Sequence, residues 1–317
     1  MVSVIAVRGL AKHFGRVHAL DGLDLDVGEG QIHGFLGPNG SGKSTTTRVL
    51  LGLARATSGT VEVFGVDPWR EAAALHRRIA YVPGDVSAWP NLSGGETIDF
   101  VARLRGVHRH ERAYRLERER LMEAFLFDPH KKGRAYSKGN RQKLALIAAF
   151  AVPAELYILD EPTSGLDPLM AMVFQHEIAR VRDGGATVLL SSHILSEVEQ
   201  LCDVVSIVRA GKVVESGTLT DLRHLTRTEV SFAASDVSSL ASVPDAHDLR
   251  VEHGRARFTV DSDRVSSVLP ALTALRVEGL RIEPPSLEEL FLRHYGDDVA
   301  VVDHGGAPRA RRETAAR

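Results

Sequence analysis

The chain has 317 residues, 44% of them hydrophobic and 25% charged, enough apolar material for one large core or two smaller ones. Lysine and arginine nearly cancel aspartate and glutamate, to a net charge of −2, and the signs are interspersed, so no basic face argues for nucleic acid as a partner. The single cysteine, Cys202, excludes an intrachain disulfide framework or a cysteine-built zinc site and fits a reducing cytoplasm.

No basic segment followed by an apolar one opens the sequence, so no secretory signal is expected. "QIHGFLG" (31–37) predicts a strand ending in a glycine turn, and "GKSTTTRVLLGL" (42–53) the helix that follows it. Between about 84 and 150 the pattern turns helical and charged, which predicts a helical subdomain inserted into a sheet domain. Within it, residues 110–127 read as a helix with Leu116, Leu121, Phe125 and Leu126 near one face. The longest uncharged run, "LALIAAFAVPA" (144–154), is too short to cross a bilayer and carries a proline. "ELYILDE" (155–161) and "ATVLLSS" (186–192) are continuous apolar runs of strand length, as parallel strands covered on both faces require.

From about 226 the texture changes. "TEVSFAA", "DLRVEHG" and "RARFTV" predict short strands, and "RVSSVLPALTAL" an amphipathic helix. "RIEPPSLEELFLRHYG" predicts a strand, a diproline break and a last helix with a capping-box pattern at Ser286 and Glu289. The expected division is therefore an α/β domain over 1–225, a small α+β domain over 226–300, and a solvated, poorly ordered tail over 301–317.

"GPNGSGKST" runs from Gly37 through Pro38, Asn39, Gly40, Ser41, Gly42, Lys43 and Ser44 to Thr45, and fits the phosphate-loop pattern G-x-x-x-x-G-K-[ST]. Its glycines let successive backbone N–H groups point at a phosphate, and the following helix adds the positive end of its dipole. Lys43 can neutralise β- and γ-phosphate charge, and the Ser44 hydroxyl can ligate Mg²⁺. Asp160 emerges at the carboxyl end of the "LYILD" strand as a second metal anchor. Glu161 follows, able to polarise the water that attacks the γ-phosphate. His193 closes the next buried strand and should stand beside Glu161 on the same sheet edge, where it can position that water.

Together these motifs resemble the ABC (ATP-binding cassette) ATPases, an α/β P-loop NTPase fold with an inserted helical subdomain. Two stretches compete for the family's signature peptide: "LSGGE" at 92–96 and the poorer copy "YSKGN" at 136–140. In the family the signature opens the long helix that leads back to the acidic strand, and only the second copy stands there. The resemblance therefore implies that Ser137 and Gly139 contact ATP held on the P-loop of a second copy, so that two chains stack head to tail around two ATP molecules. It also implies that Asp167, in "SGLDP", crosses this interface, and that Phe14 lies under adenine. Two departures stand out. Gly84 occupies the place of the usual glutamine after "YVP", a role that Asp85 is expected to take in part. Lys138 replaces a signature glycine, either to attract the partner's γ-phosphate or as an ordinary exposed lysine.

Within the family, the Lys138-bearing signature, the "PWR…LHRRIAYVPGDVSAWPNLSGGE" segment and the "PPSLEELFLRHYG" end look like the energy subunits of drug and antibiotic exporters of the daunorubicin-resistance type. That resemblance implies ATP and Mg²⁺ as ligands, a separate integral membrane permease as partner, and a place at the cytoplasmic face of the membrane. A soluble ABC ATPase of translation or DNA repair is the alternative from another class. One cassette, one cysteine and no sustained heptads speak against it, and the appendage and Lys138 speak against the energy subunit of an importer.

Overall fold

The structure is a computed structural model that describes residues 3–107, 110–224, 227–233, 245–252, 254–275 and 277–283. The expected final helix with Ser286 and Glu289, and the expected tail over 301–317, lie outside the described residues. The chain divides into two compact units, Met1–Thr220 and Asp221–Arg317.

In the first unit, strands β1 (Ser3–Phe14) and β2 (Val17–Gly28) form a long antiparallel hairpin, and β3 (Ile32–Leu36) leads through the phosphate loop into helix α1 (Lys43–Leu50). Then come β4 (Ser58–Val63), the single turn α2 (Ala72–Leu75) and β5 (Ile79–Val82). Three helices follow, α3 (Gly94–Leu104), α4 (Arg112–Ala124) and α5 (Lys138–Phe150). The unit closes with β6 (Leu156–Asp160), α6 (Pro168–Asp183), β7 (Thr187–Ser192), α7 (Leu195–Leu201), β8 (Val204–Arg209) and β9 (Lys212–Thr218).

Two sheets result, an antiparallel one ordered β2-β1-β4 and a central one ordered β5-β6-β7-β3-β8-β9. All central pairs are parallel except β8–β9 at the edge. Every residue of β3, β6 and β7 is buried, which is why these strands read as unbroken apolar runs rather than as alternations. A core shared by Leu20, Leu23, Phe35, Leu50, Val63, Ile158 and Leu189 welds the two sheets and α1 together. Parallel registration brings the carboxyl ends of β3, β6 and β7 to one edge of the sheet, where loops of such folds carry ligand-binding groups.

Helix α4 departs from the expected face. Leu121 and Phe125 are fully buried, but Leu116 is 56% and Leu126 70% exposed. The helix ends at Ala124 and Leu126 takes φ 49°, so the chain has left helical periodicity before that residue. The inward stripe instead joins Tyr114 to Leu121 and Phe125, and Leu116 falls off it at 100° per residue.

Helix α8 (Leu219–His224) spans the boundary between the two units in sequence, and the elements after it belong to the second. Strands β10 (Arg227–Ala233), β11 (His247–Glu252), β12 (Arg255–Asp261) and β13 (Glu278–Glu283) form an antiparallel sheet ordered β11-β12-β10-β13, and helix α9 (Val265–Ala274) lies between β12 and β13 in sequence. Burial alternates along β10 and β12, and their inward residues Val230, Phe232, Ala256, Phe258 and Val260 pack on Val268 and Leu272 of α9. Among the described residues no helix is long and apolar enough to cross a membrane.

Candidate active site

The loop between β3 and α1 is built around its glycines. A Cβ on Gly37 would stand 2.5 Å from the Val208 carbonyl oxygen, so only glycine lets β3 turn against β8 there. Gly40 and Gly42 take φ 84° and 114°, and Asn39 and Gly40 form the exposed tip, with Pro38 half-buried before them. Gly42 caps α1 and is pressed against Leu20 and the Ala19 carbonyl of β2, which ties the β1–β2 hairpin to the loop. Lys43 is 5% exposed, and its Nζ donates to the Gly37 and Pro38 carbonyls. Burial pushes the Lys43 pKa down, while Glu161 and Asp160 pull against that shift.

The loop fits an anion. The first turn of α1 holds no acidic residue and no side-chain cap, so its leading N–H groups point outward with the dipole behind them. The buried Ser41 hydroxyl has no hydrogen-bond partner, and Ser44 is exposed with Thr45 half-buried beside it.

Across the sheet edge, Asp160 is buried and its Oδ1 accepts from the Ser191 hydroxyl. The β6–β7 register sets these two residues opposite each other. Glu161 takes φ 48°, a left-handed conformation that costs a non-glycine residue about 1–3 kcal/mol and marks functional turns, and its amide donates to the Ser191 carbonyl at 3.0 Å. That turn aims the Glu161 carboxylate back over the phosphate loop: Oε1 lies 3.9 Å from Lys43 Nζ and 3.1 Å from His193 Nδ1. The fold thus brings Lys43, Asp160, Glu161 and His193 together from three strand ends. A Cβ on Gly84 would lie 3.4 Å from Asp160 Oδ2, so the loop after β5 passes directly over this carboxylate without a side chain of its own.

The two "S-x-G" helix starts differ sharply. At α3 the Ser93 hydroxyl accepts from the Glu96 amide and the Glu96 carboxylate accepts from the Ser93 amide, a closed capping box that Lys132 completes. These bonds, led by the Ser93 amide, hold the Glu96 carboxyl at a pKa of about 2. Gly94 and Gly95 donate to the Lys131 and Pro129 carbonyls. A Cβ on Gly94 would run into the Tyr136 hydroxyl and the Phe127 ring, so this glycine serves packing. At α5 Ser137 also caps, its hydroxyl accepting from the Asn140 amide, but the first turn holds no acid. The Lys138 and Gly139 amides have no partner among the described residues. The helix with the tidier motif has filled its own positive end; the other leaves it open.

Comparison with known proteins agrees with this geometry. The daunorubicin resistance ATP-binding protein DrrA3 of Streptomyces coeruleorubidus is 36% identical, over 94% of this chain and 98% of that protein. The chain belongs to the ABC transporter family. The family's model matches residues 20–164, from β2 to the loop before α6. The daunorubicin/doxorubicin resistance ATP-binding protein DrrA of Streptomyces peucetius is 38% identical over 93% of this chain and 94% of its own length. A solved ATP-binding subunit of an ABC transporter superposes with a TM-score of 0.66 at 29% identity, covering 70% of this chain and 92% of that one. This ABC chain is accordingly an ATPase.

Other positions expected in an ABC cassette are held as follows. Phe14 ends β1 beside the hairpin turn, 51% exposed, with Lys12 Nζ 4.7 Å from its ring centroid. Asp167 is the N-cap of α6, its Oδ1 accepting from the Met170 amide at 2.9 Å. Asp85 is exposed and has no hydrogen-bond or ion-pair partner among the described residues. Ser191 and Gln142 are parts of the cassette that sequence reasoning passed over. Gln142 is buried and donates to the Pro162 carbonyl at 2.8 Å, fastening α5 to the loop after Glu161. The place of Ser191 two residues before His193 is the one sequence signal it offered.

Proposed function

We propose that this chain is the ATP-hydrolysing energy subunit of a two-component ABC exporter of drugs, antibiotics or other hydrophobic compounds. It would work as a homodimer on a separate integral membrane permease, at the cytoplasmic face of the membrane. The observation that carries this reading is the alignment, over more than nine-tenths of both chains, with relatives named for daunorubicin resistance. Residues 1–225 would form the cassette, with its helical subdomain over about 84–150, and 226–300 an appended domain. The half-exposed aromatic pair Trp89 and Phe100, with Leu104 beyond it on α3, offers apolar surface for the permease.

In this reading the amides of residues 37–45 and Lys43 cradle the phosphates of ATP, and Phe14 stacks on adenine, worth about 0.5–1.5 kcal/mol. Ser44 and Asp160 would hold Mg²⁺, with Ser191 fixing one Asp160 oxygen so that the other stays available. Bound there, the metal would neutralise phosphate charge as the bond breaks. Glu161 orients and polarises the attacking water. His193 Nδ1 lies 3.1 Å from Glu161 Oε1, a placement that would hold the ring beside the carboxylate and leave Nε2 for the γ-phosphate or its water. Ser137, Gly139 and Asp167 of a second copy complete the pocket, so that ATP closes the pair and hydrolysis opens it.

The test is ATP-driven uptake of daunorubicin into inside-out vesicles carrying the full chain and its permease. Uptake should require ATP and should vanish with Lys43→Ala, which removes the charge at the phosphates. Uptake that persists in the Lys43→Ala vesicles would overturn the proposal.

A further inference from the structure

We infer that Lys138 is a phosphate-binding residue of the shared site, reaching the γ-phosphate of ATP held by the second copy. The inference rests on the proposed two-copy reading, in which the Ser137 end of α5 faces the partner's phosphate loop.

Lys138 is the first residue of α5, where a cation opposes the helix dipole and lowers helix stability. Among the described residues nothing compensates it: the first turn holds no acid, and Lys138 has no ion-pair partner there. Arg141, one turn further along, adds a second cation whose Nε is buried without a hydrogen bond. Helix α3 is the internal control, because there Glu96 in the first turn closes the helix start and Lys132 is paired with that carboxylate. Uncompensated charge at a capped helix end with two unpartnered amides calls for an anion from outside the chain.

The stem of Lys138 is also held. A Cβ on Gly165 would come within 3.3–3.5 Å of Lys138 Cγ, Cδ and Cε, so the methylenes ride over the Gly165 backbone, which takes φ 80°. Behind it, Gly139 packs so closely on the Gly165 carbonyl oxygen that a Cβ would stand 2.6 Å away. The start of α5 and the "SGLDP" loop are therefore one surface, and Lys138 lies across their seam. Seating the stem there removes part of the rotamer entropy that an exposed lysine would otherwise lose on gripping a phosphate.

Steady-state ATP turnover of the full chain with its permease tests this, alongside ATP binding to the dilute chain alone. Lys138→Met keeps the stem and removes the charge; turnover should fall about tenfold or more while binding at the chain's own phosphate loop stays within about twofold. Lys138→Arg should keep at least about half the turnover, because the charge is retained. Lys138→Met turnover within about twofold of the parent overturns the inference, as does Lys138→Arg failing as badly as Lys138→Met, which would mean that stem packing alone matters. Ser137→Glu, which sets a carboxylate against the same phosphate, separates the two claims. If Ser137→Glu is inactive and Lys138→Met is not, only the Lys138 role falls; if Ser137→Glu is fully active, the two-copy reading falls with it.

Discussion

A β-carbon on Gly139 has nowhere to go, because the atom it would meet 2.6 Å away is the backbone carbonyl of Gly165 rather than the end of a flexible side chain. Gly139→Ala must therefore part α5 from the "SGLDP" loop by a few tenths of an ångström or more. A misplacement of about 1 Å in a positioning element can cost about a hundredfold in turnover, so a shift of part of that distance should cost about tenfold. Turnover should drop accordingly while ATP binding at Lys43 and the far-UV spectrum stay as they were; unchanged turnover would mean that the seam tolerates opening. At this scale the motif residues of the phosphate loop and the Asp160–Glu161 pair were legible because their chemistry is local to a few consecutive positions. Ser191 was not, since its bond to Asp160, 31 residues away in sequence, depends on the register of two strands. Gly84 was legible as an absence, and the structure adds what the absence does: it lets the loop after β5 lie on Asp160.

Among elements, the two serine-capped helices α3 and α5 make opposite predictions from similar sequences. Ser93→Ala removes the cap of α3 and should cost about 1 kcal/mol in urea unfolding with turnover within about twofold of the parent. Ser137→Ala should cost a similar amount of stability and most of the turnover. A loss of turnover on Ser93→Ala would reverse the assignment of the signature. Strand β3 carries a further test in His33, which is fully buried, with Nε2 2.8 Å from the Ser206 hydroxyl and Nδ1 3.2 Å from Gln31 Nε2. Burial lowers its pKa from 6.5 to about 4, with Asp26 opposing weakly. The unfolded chain therefore takes up this proton first: stability is complete above pH 6.5 and falls as the pH drops toward 4, then levels off. The drop amounts to about 3 kcal/mol. Urea midpoints measured at pH 7.5, 5.5 and 4.5 should show the slope, and His33→Gln should flatten it; an unchanged slope in His33→Gln would assign the loss to other groups. Strands and helices were legible here from apolar runs and periodicity, whereas Leu126 was misplaced because periodicity does not announce where a helix ends, and Leu116 because it lies off the stripe that joins Tyr114, Leu121 and Phe125.

Over the whole first unit, what holds the inserted helices onto the sheet core is partly ionic. Glu177 of α6, 1% exposed, accepts from both terminal nitrogens of Arg120 of α4 at 2.6 and 2.7 Å, and from Arg180 at 3.1 Å. Glu117 of α4 joins the same two arginines, Arg120 at 2.8 Å and Arg180 at 2.6 Å. Burial would raise the Glu117 pKa, but Arg120 and Arg180 overcome it and hold the carboxyl at about 2. No sequence pattern announces this cluster, because its four members pair across two helices that only the fold brings together. Removing one partner strands a buried charge, so Arg120→Met should destabilise the unit by about 3 kcal/mol, moderated by the Arg180 contact that remains. Replacing both ions by methionine, Arg120→Met with Glu177→Met, removes the stranded charge and should recover most of that loss. Thermal midpoints of the two singles and the double decide it. A double variant at least as unstable as the sum of the singles would mean that the cluster does not act as a pair, and that α4 is held on the core by Tyr114, Leu121 and Phe125 alone.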